Sequence, residues 1–235
     1  MKIQDSIALV TGANRGLGRE FVQALLAAGA KKVYAAARDL STIDPMEGVV
    51  PLKLDVTNMQ DIATAARECK DVSLLINNAG IIRGAGLLDS TSLDSARDEW
   101  ETTFIGPLAL SQAFAPTLAT NGGGAIVNVL SALSWISMPG AATYSAAKAA
   151  AWSLTNGLRS ELHDQGTAVI GLHVAYMDTD MARGLAVPKT HPREVAQYSV
   201  ECIQQGQVEI LADEICRGLK GGLSAGVYLK NPLLQ

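Results

Sequence analysis

Short apolar runs and longer amphipathic stretches alternate along the chain. The runs at 6–10, 31–37, 49–54, 72–76, 126–130, 168–174 and 208–211 are rich in Val, Ile, Leu and Ala, the length and composition of strands buried on both faces. Between them, 19–28, 58–69, 95–119, 141–165, 194–204 and 213–220 carry apolar residues at helical spacing. Gly29 stops the first helix and Asn58 offers a cap for another. Pro45 and Gly48 leave room for only a short helix after the second strand, and a loose tail follows the last helix. Strand–helix alternation of this kind predicts an α/β fold, a doubly wound parallel sheet of about seven strands. No linker or repeat divides the chain, so one domain is expected over residues 1–235. Ligands of such sheets gather at the carboxyl ends of the strands. Thr11, Arg38, Asp55 and Asn78 all fall at those ends, and Ser131 ends the fifth strand.

Composition narrows the class. The 235 residues are 48% hydrophobic and 18% charged, with 22 Gly and 5% aromatics, which suits a core of small aliphatic side chains. A net charge of −4 supplies no basic patch for nucleic acid. Asp5 interrupts the first apolar run before it could serve as a signal peptide, and no uninterrupted apolar stretch of about 20 residues occurs. A soluble, cytoplasmic protein is expected, without a membrane partner. Cys69, Cys202 and Cys216 lack metal-ligand spacing, as do His163, His173 and His191. The cysteines read as buried thiols and the histidines as surface or structural residues, so no metal is expected.

Three features point to chemistry. Gly12, Gly16 and Gly18 stand as G-x-x-x-G-x-G between a strand and a helix, where backbone can approach a pyrophosphate and unpaired N–H groups face it. An acidic residue near the end of the second strand would hold a ribose 2′-hydroxyl, whereas an arginine accommodates a 2′-phosphate. Position 37 is Ala, Arg38 follows, and Arg15 lies in the glycine loop. Together they point to NADP(H), although Asp39 stands next door. Tyr144 and Lys148 are four apart on a helix, one turn above each other. An ammonium so placed favours the phenolate, so a phenol lowered toward neutral pH is predicted. Pro107, inside the long helix, has no N–H for the carbonyl of Thr103.

These motifs resemble the short-chain dehydrogenase/reductase family over about the first 180 residues. The likeness rests on Thr11-Gly12-x-x-x-Gly16-x-Gly18, Asn77-Asn78-Ala79-Gly80, Ser131 thirteen residues before Tyr144, and Tyr144-x-x-x-Lys148. The resemblance implies a Rossmann-like sheet and NADP(H)-dependent oxidoreduction. It implies that Tyr144 exchanges the proton with the substrate oxygen, that Lys148 lowers the Tyr144 pKa and bonds the nicotinamide ribose, and that Ser131 orients the substrate oxygen. Cofactor contacts are implied for Gly12, Asn14, Arg15, Gly16, Leu17, Gly18, Arg38, Asp55, Val56, Asn78, Ala79, Gly80, Ala175, Met177 and Thr179, besides Tyr144 and Lys148. Asp55 and Val56 would meet adenine, and Thr179 the carboxamide. A homodimer or homotetramer is implied, and the small residues Ala149, Ser153, Gly157 and Ser160 mark a helix face that could pack against another helix.

The chain departs from the family pattern in three places. Thr103 stands where the family has a catalytic Asn. The family uses that position partly through its backbone carbonyl, which holds a water feeding protons to the lysine, so the freed Thr103 carbonyl is expected to keep the relay. The usual Pro-Gly after the sixth strand reads Val174-Ala175, and the usual glycine-rich C-terminal strand motif is absent. Leu133, Trp135, Ile136, Met177 and Met181, with Ile82 and Leu185, are expected to form an apolar wall over the nicotinamide, or else to be plain core. The expected substrate is therefore an uncharged apolar or aryl ketone or aldehyde. The other reading is an NADP(H)-binding regulatory sensor without turnover.

Overall fold

The computed structural model describes residues 1–230. Its centre is a seven-stranded sheet in the order β3-β2-β1-β4-β5-β6-β7, with every neighbouring pair parallel. The strands are β1 (Ile7–Thr11), β2 (Lys32–Ala37), β3 (Val49–Lys53), β4 (Leu74–Asn77), β5 (Ala125–Val129), β6 (Ala168–His173) and β7 (Glu209–Leu211). Side-chain alternation assigns each apolar run to both faces. Ala8, Val10, Leu74, Ile76, Val127, Ile170 and Leu172 pack on one side under α1 (Gly16–Ala27) and α6 (Pro192–Gln204). Leu9, Leu75, Ile126 and Val169 pack on the other under α2 (Met59–Glu68), α4 (Gly106–Thr120) and the C-terminal half of α5 (Ala142–Glu161). Runs that look continuous in sequence are thus shared between two cores. Pro51 lies in β3, which occupies the sheet edge, where a missing N–H is tolerated.

The predicted elements are present, with ends moved by a few residues. Asn58 caps α2 as expected, its side chain accepting from the N–H groups of Gln60 and Asp61. The short helix after β2 is a single 3-10 turn, Leu40–Thr42. The last helix, α7 (Glu214–Gly222), leads into two 3-10 turns rather than directly into a loose tail. The end of that tail, 231–235, lies outside the described residues. No helix among the described residues is long and apolar enough to cross a membrane.

The stretch predicted as one long helix over 95–119 departs more. It comprises α3 (Ser92–Trp100), a π-helical turn (Glu101–Ile105) and α4. The N–H of Gly106 reaches back to Glu101, and Pro107, next in line, has none to give. The backbone stays helical through Glu101, Ile105 and Gly106, so Pro107 lies inside a continuous helical run, as expected, and the π turn just before it is where the α register breaks. Gly106 is required here for space, since a Cβ would lie 2.8 Å from the Val56 carbonyl.

Candidate active site

The nucleotide loop is clamped to the end of β4 through Thr11. Its buried hydroxyl accepts from the N–H groups of Asn78 (2.9 Å) and Ala79 (3.0 Å) and donates to the Ile76 carbonyl. The Asn78 amide answers by donating to the carbonyls of Thr11 and Gly12. Gly18 fits beneath this knot because it has no side chain, as a Cβ there would stand 2.2 Å from the Gly12 carbonyl oxygen. Gly12 and Gly16 have φ of +63° and +51°, a region that favours glycine.

Helix α1 starts in this loop with no side-chain cap and no acidic residue in its first turn. Its N-terminal N–H groups and the positive end of its dipole are thus available to a phosphate, so the residues present fit a dinucleotide. Asn14 and the exposed Arg15 lie in the loop, and Leu17 is buried at the base of α1. Arg15 pairs with Asp180 at 3.3 Å, and Asp180 also pairs with Arg183. Thr179 lies across from Gly16, its Cγ2 3.3 Å from where a Gly16 Cβ would be. It makes no side-chain capping bond to the turn that follows. Arg38 is exposed at the end of β2 and within Coulombic reach of Asp55. Burial would raise the Asp55 carboxyl, but the Thr57 N–H and hydroxyl, with Arg38, bring it below its ordinary value. Asp39 is turned to its own loop, accepting from Ser41. Val56 is buried beside Gly106.

Ser131, Tyr144 and Lys148 come together at the ends of β5 and α5. All three are buried, at 7%, 8% and 4% exposure, and the Ser131 hydroxyl is near enough to Tyr144 to act on its phenol. The Ser131 hydroxyl also accepts from Leu133 N–H at 3.1 Å, which fixes its rotamer. The predicted lowering of the phenol by Lys148 is corrected by the structure. Burial holds the phenol well above the ordinary tyrosine range, with Ser131 lowering it and Glu99 raising it further. The Lys148 ammonium lies 5.6 Å from the Tyr144 ring centroid and donates instead to the Val129 carbonyl. Burial brings Lys148 down to about 8. The two groups move in opposite directions for one reason: burial disfavours the charged form of each.

Behind these residues is a polar frame not read from the sequence. Asn77 donates to Asn128, Asn128 to Thr155, and Thr155 to the Ala151 carbonyl, tying β4, β5 and α5 together inside the core. Polar residues in otherwise apolar strands were the available signal. His173 is structural, as expected, and fully buried. Its Nδ1 lies 3.2 Å from the Ser131 carbonyl, which can only accept, so the proton is on Nδ1. Burial lowers this imidazole to about 4.

The Thr103 hydroxyl is buried with no hydrogen-bond partner among the described residues. Ala175 N–H is held by Asp213 at 2.7 Å, and Met177 forms an isolated bridge with Thr190. Of the expected apolar wall, Trp135 and Ile136 belong to a core with Cys216 and Leu219, and Trp135 stacks on His173 with centroids 3.9 Å apart. Those two are core residues. Ile82, Met181 and Leu185 are exposed on the loops after β4 and β6. The described residues contain no cluster of three or more potential metal ligands.

A sheet edge with a phosphate-ready helix at one strand end and two buried hydroxyls at another is the arrangement of a dinucleotide-dependent oxidoreductase. Residues 6–189 match the family model for short chain dehydrogenases, and the chain belongs to that family. It is similar to a short chain dehydrogenase of Burkholderia cenocepacia J2315 crystallised with NADP, at 40% identity and TM-score 0.92, covering 96% of this chain and 95% of that one. An NADPH-bound carbonyl reductase from chicken fatty liver matches at 30% identity and TM-score 0.73, over 81% and 87% of the two chains. Among curated relatives, the 3-oxoacyl-acyl-carrier-protein reductase of Salmonella typhimurium is 31% identical over 79% of each chain. Dehydrogenase/reductase SDR family member 7B of Danio rerio is 30% identical over 77% of this chain, and the match spans 63% of that protein's length.

Proposed function

We propose that the chain is an NADP(H)-dependent oxidoreductase that interconverts an uncharged apolar or aryl ketone or aldehyde with its alcohol. The observation that carries this reading is the buried Tyr144 with Ser131 close enough to lower its phenol and the Lys148 ammonium 5.6 Å from its ring centroid. When bound, the nicotinamide supplies or accepts the hydride. Gly12, Gly16 and Gly18 let the backbone approach the pyrophosphate, and the N-terminus of α1 neutralises it. Arg38 and Arg15 hold the 2′-phosphate, Asp55 and Val56 flank the adenine, and Asn78, Ala79 and Gly80 pass the riboses by their backbone. Ser131 orients the substrate oxygen, and Tyr144 gives its proton as charge develops there. Lys148 holds the nicotinamide ribose, and Ala175, Met177 and Thr179 border the carboxamide. The high phenol pKa favours the proton-donating form and hence carbonyl reduction. Exposed Ile82, Met181 and Leu185 favour an uncharged apolar substrate, since the neighbouring Arg83 and Arg183 are paired with Asp98 and Asp180.

The test is NADPH oxidation followed by absorbance over aryl ketones, alkyl aldehydes and a 3-oxoacyl thioester, with Tyr144→Phe as control. Turnover of the ketones, lost by at least about a thousandfold in Tyr144→Phe, is the expected result. A 3-oxoacyl thioester reduced far faster than any ketone would refute the substrate class. The second reading, a sensor that binds NADP(H) without turnover, is favoured by Thr103 in place of an amide. Nucleotide binding with no turnover on any substrate would establish it.

The same reading includes a cytoplasmic homodimer or homotetramer. The three buried free cysteines suit a reducing compartment. Ser153, Gly157 and Ser160 are exposed along α5, and Leu93 and Trp100 are exposed on α3 (69% and 41%), which packs against α5. Light scattering that shows a monomer would reject the assembly.

A further inference from the structure

The turn that carries Ser131 is held at both ends by one side chain from the neighbouring strand. Ser131 opens a 3-10 turn, Ala132–Ser134, that Trp135 closes. Most bonds to Ser131 come from within that turn. Its N–H donates to the Ser134 hydroxyl at 3.2 Å, its hydroxyl accepts from Leu133 N–H at 3.1 Å, and its carbonyl accepts from Ser134 N–H at 3.0 Å. His173, the last residue of β6, comes from outside it. Its Nδ1 donates to the Ser131 carbonyl at 3.2 Å, and its ring stacks on Trp135 with centroids 3.9 Å apart and planes 20° from parallel. The Ala132 N–H, at the other end of the same peptide unit, donates to the Val174 carbonyl at 3.0 Å. Both polar ends of the Ser131–Ala132 peptide are thus tied to the chain at the end of β6.

Support of the fold alone does not call for an imidazole here. His173 is 0% exposed, and its Nε2 has no hydrogen-bond partner among the described residues. The Glu209 carboxylate stands 3.9 Å from that nitrogen and accepts from Lys220 at 2.7 Å. An unpaired buried nitrogen carries a cost that an apolar side chain of similar size would avoid. Phe could stack on Trp135, and Asn could reach the Ser131 carbonyl; the imidazole does both. Burial keeps the ring uncharged, so its one proton stays on Nδ1, facing that carbonyl.

We propose that His173 is a positioning residue, which holds the turn so that the Ser131 hydroxyl stands where it orients the substrate oxygen. It acts through Ser131 and, being fully enclosed, touches no substrate. The inference rests on Ser131 as the residue that orients that oxygen, and its test separates the two. The readout is NADPH-dependent reduction of the aryl ketone that the unmodified chain reduces fastest. His173→Phe keeps a flat ring for Trp135 but has no donor, so kcat should fall about tenfold or more, with NADPH affinity by fluorescence titration unchanged. His173→Leu, close in volume and also without a donor, should do the same and keeps the test decisive if Phe does not fit. His173→Asn places an amide N–H where Nδ1 stands. It should keep kcat within about threefold while melting lower, the ring against Trp135 being gone, a divergence that support of the fold alone would not produce. Added to Ser131→Ala, either donorless change should alter kcat by less than about twofold, because no hydroxyl is left to misplace. Full activity without the donor, an equal loss in His173→Asn, or a further loss of about tenfold in the Ser131→Ala background would overturn the role of His173 and leave that of Ser131 standing. Ser131→Ala that turns over at the unmodified rate, or a chain that reduces no ketone, would overturn the reading beneath it and this inference with it.

Discussion

The ammonium of Lys148 lies 2.7 Å from the carbonyl of Val129, the last residue of β5 and two before Ser131. One bond thus ties the helix that carries Tyr144 to the strand end that carries Ser131. It also leaves a cation buried against a carbonyl rather than a carboxylate, which is why Lys148 falls to about 8.

The first prediction follows from the sign of that shift. Between about 8 and the ordinary 10.5, the unfolded chain binds a proton that the folded chain does not, so stability rises with pH in that window. Below it the full cost of burying the charge applies, roughly 3 kcal/mol. Lys148→Met is expected to raise unfolding free energy at pH 7 by about 1–3 kcal/mol while abolishing turnover. The gain should shrink as pH rises through the window. Urea unfolding at several pH values reads this directly, and a variant less stable than the unmodified chain at pH 7 would reject it.

Thr103 offers a second test. Its hydroxyl has no partner among the described residues, and the α-register partner of its carbonyl would be Pro107, which has no N–H. If the carbonyl is the working atom, the side chain is dispensable. Thr103→Val should then leave ketone turnover within about threefold and be neutral or stabilising by up to about 1 kcal/mol, because an unsatisfied buried hydroxyl is removed. Thr103→Asn should also leave turnover unchanged. A very large gain on introducing Asn would show that the native relay is impaired.

Strand–helix order, sheet type and the gathering of Thr11, Arg38, Asp55, Asn78 and Ser131 at one edge were legible because each depends on local periodicity and chain direction. Tyr144, Lys148 and Ser131 were legible as a spacing, but their ionisation was not. Helical spacing shows that Lys148 is near Tyr144; only the fold shows that both are buried and that the ammonium is turned toward Val129. Trp135 and Ile136 looked like a substrate wall because apolar wall and apolar core share a composition, and the packing of α7 decided between them. The π turn was half visible, since Pro107 removes a donor, but the register shift depends on Gly106 fitting against Val56. Glu99 gave no signal at all, because a glutamate on a polar helix face reads as solvated until α5 covers it.

Cofactor preference gives a third prediction. Arg38 is exposed and has no ion pair within 4.0 Å among the described residues, whereas Arg15 is engaged with Asp180. A charge-assisted bond to a phosphate contributes about 1.5–3 kcal/mol. Arg38→Ala should therefore weaken NADPH binding by roughly 10- to 100-fold and leave NADH nearly unchanged. Asp180→Asn, which releases Arg15, should tighten NADPH several-fold. Fluorescence titration with both nucleotides measures these effects, and equal weakening of NADH and NADPH by Arg38→Ala would refute the 2′-phosphate role.

The last prediction concerns space beneath the nucleotide loop. A Cβ at Gly18 would lie 2.2 Å from the Gly12 carbonyl oxygen and 2.5 Å from Asn78 Nδ2, two groups already bonded to each other. Neither is the free end of a flexible chain, so the loop would have to lift off β4, breaking the contacts through which Asn78 clamps it. Gly18→Ala should cost about 3 kcal/mol or more and weaken nucleotide binding together with folding. Gly218→Ala is the matched control, since it lies in α7 with nothing within 4 Å of the new methyl group. There the gain in helix propensity should stabilise by about 0.5–1 kcal/mol. Thermal melts of the two variants should therefore move in opposite directions, and a Gly18→Ala protein that melts with Gly218→Ala would show that the loop has slack the structure does not display.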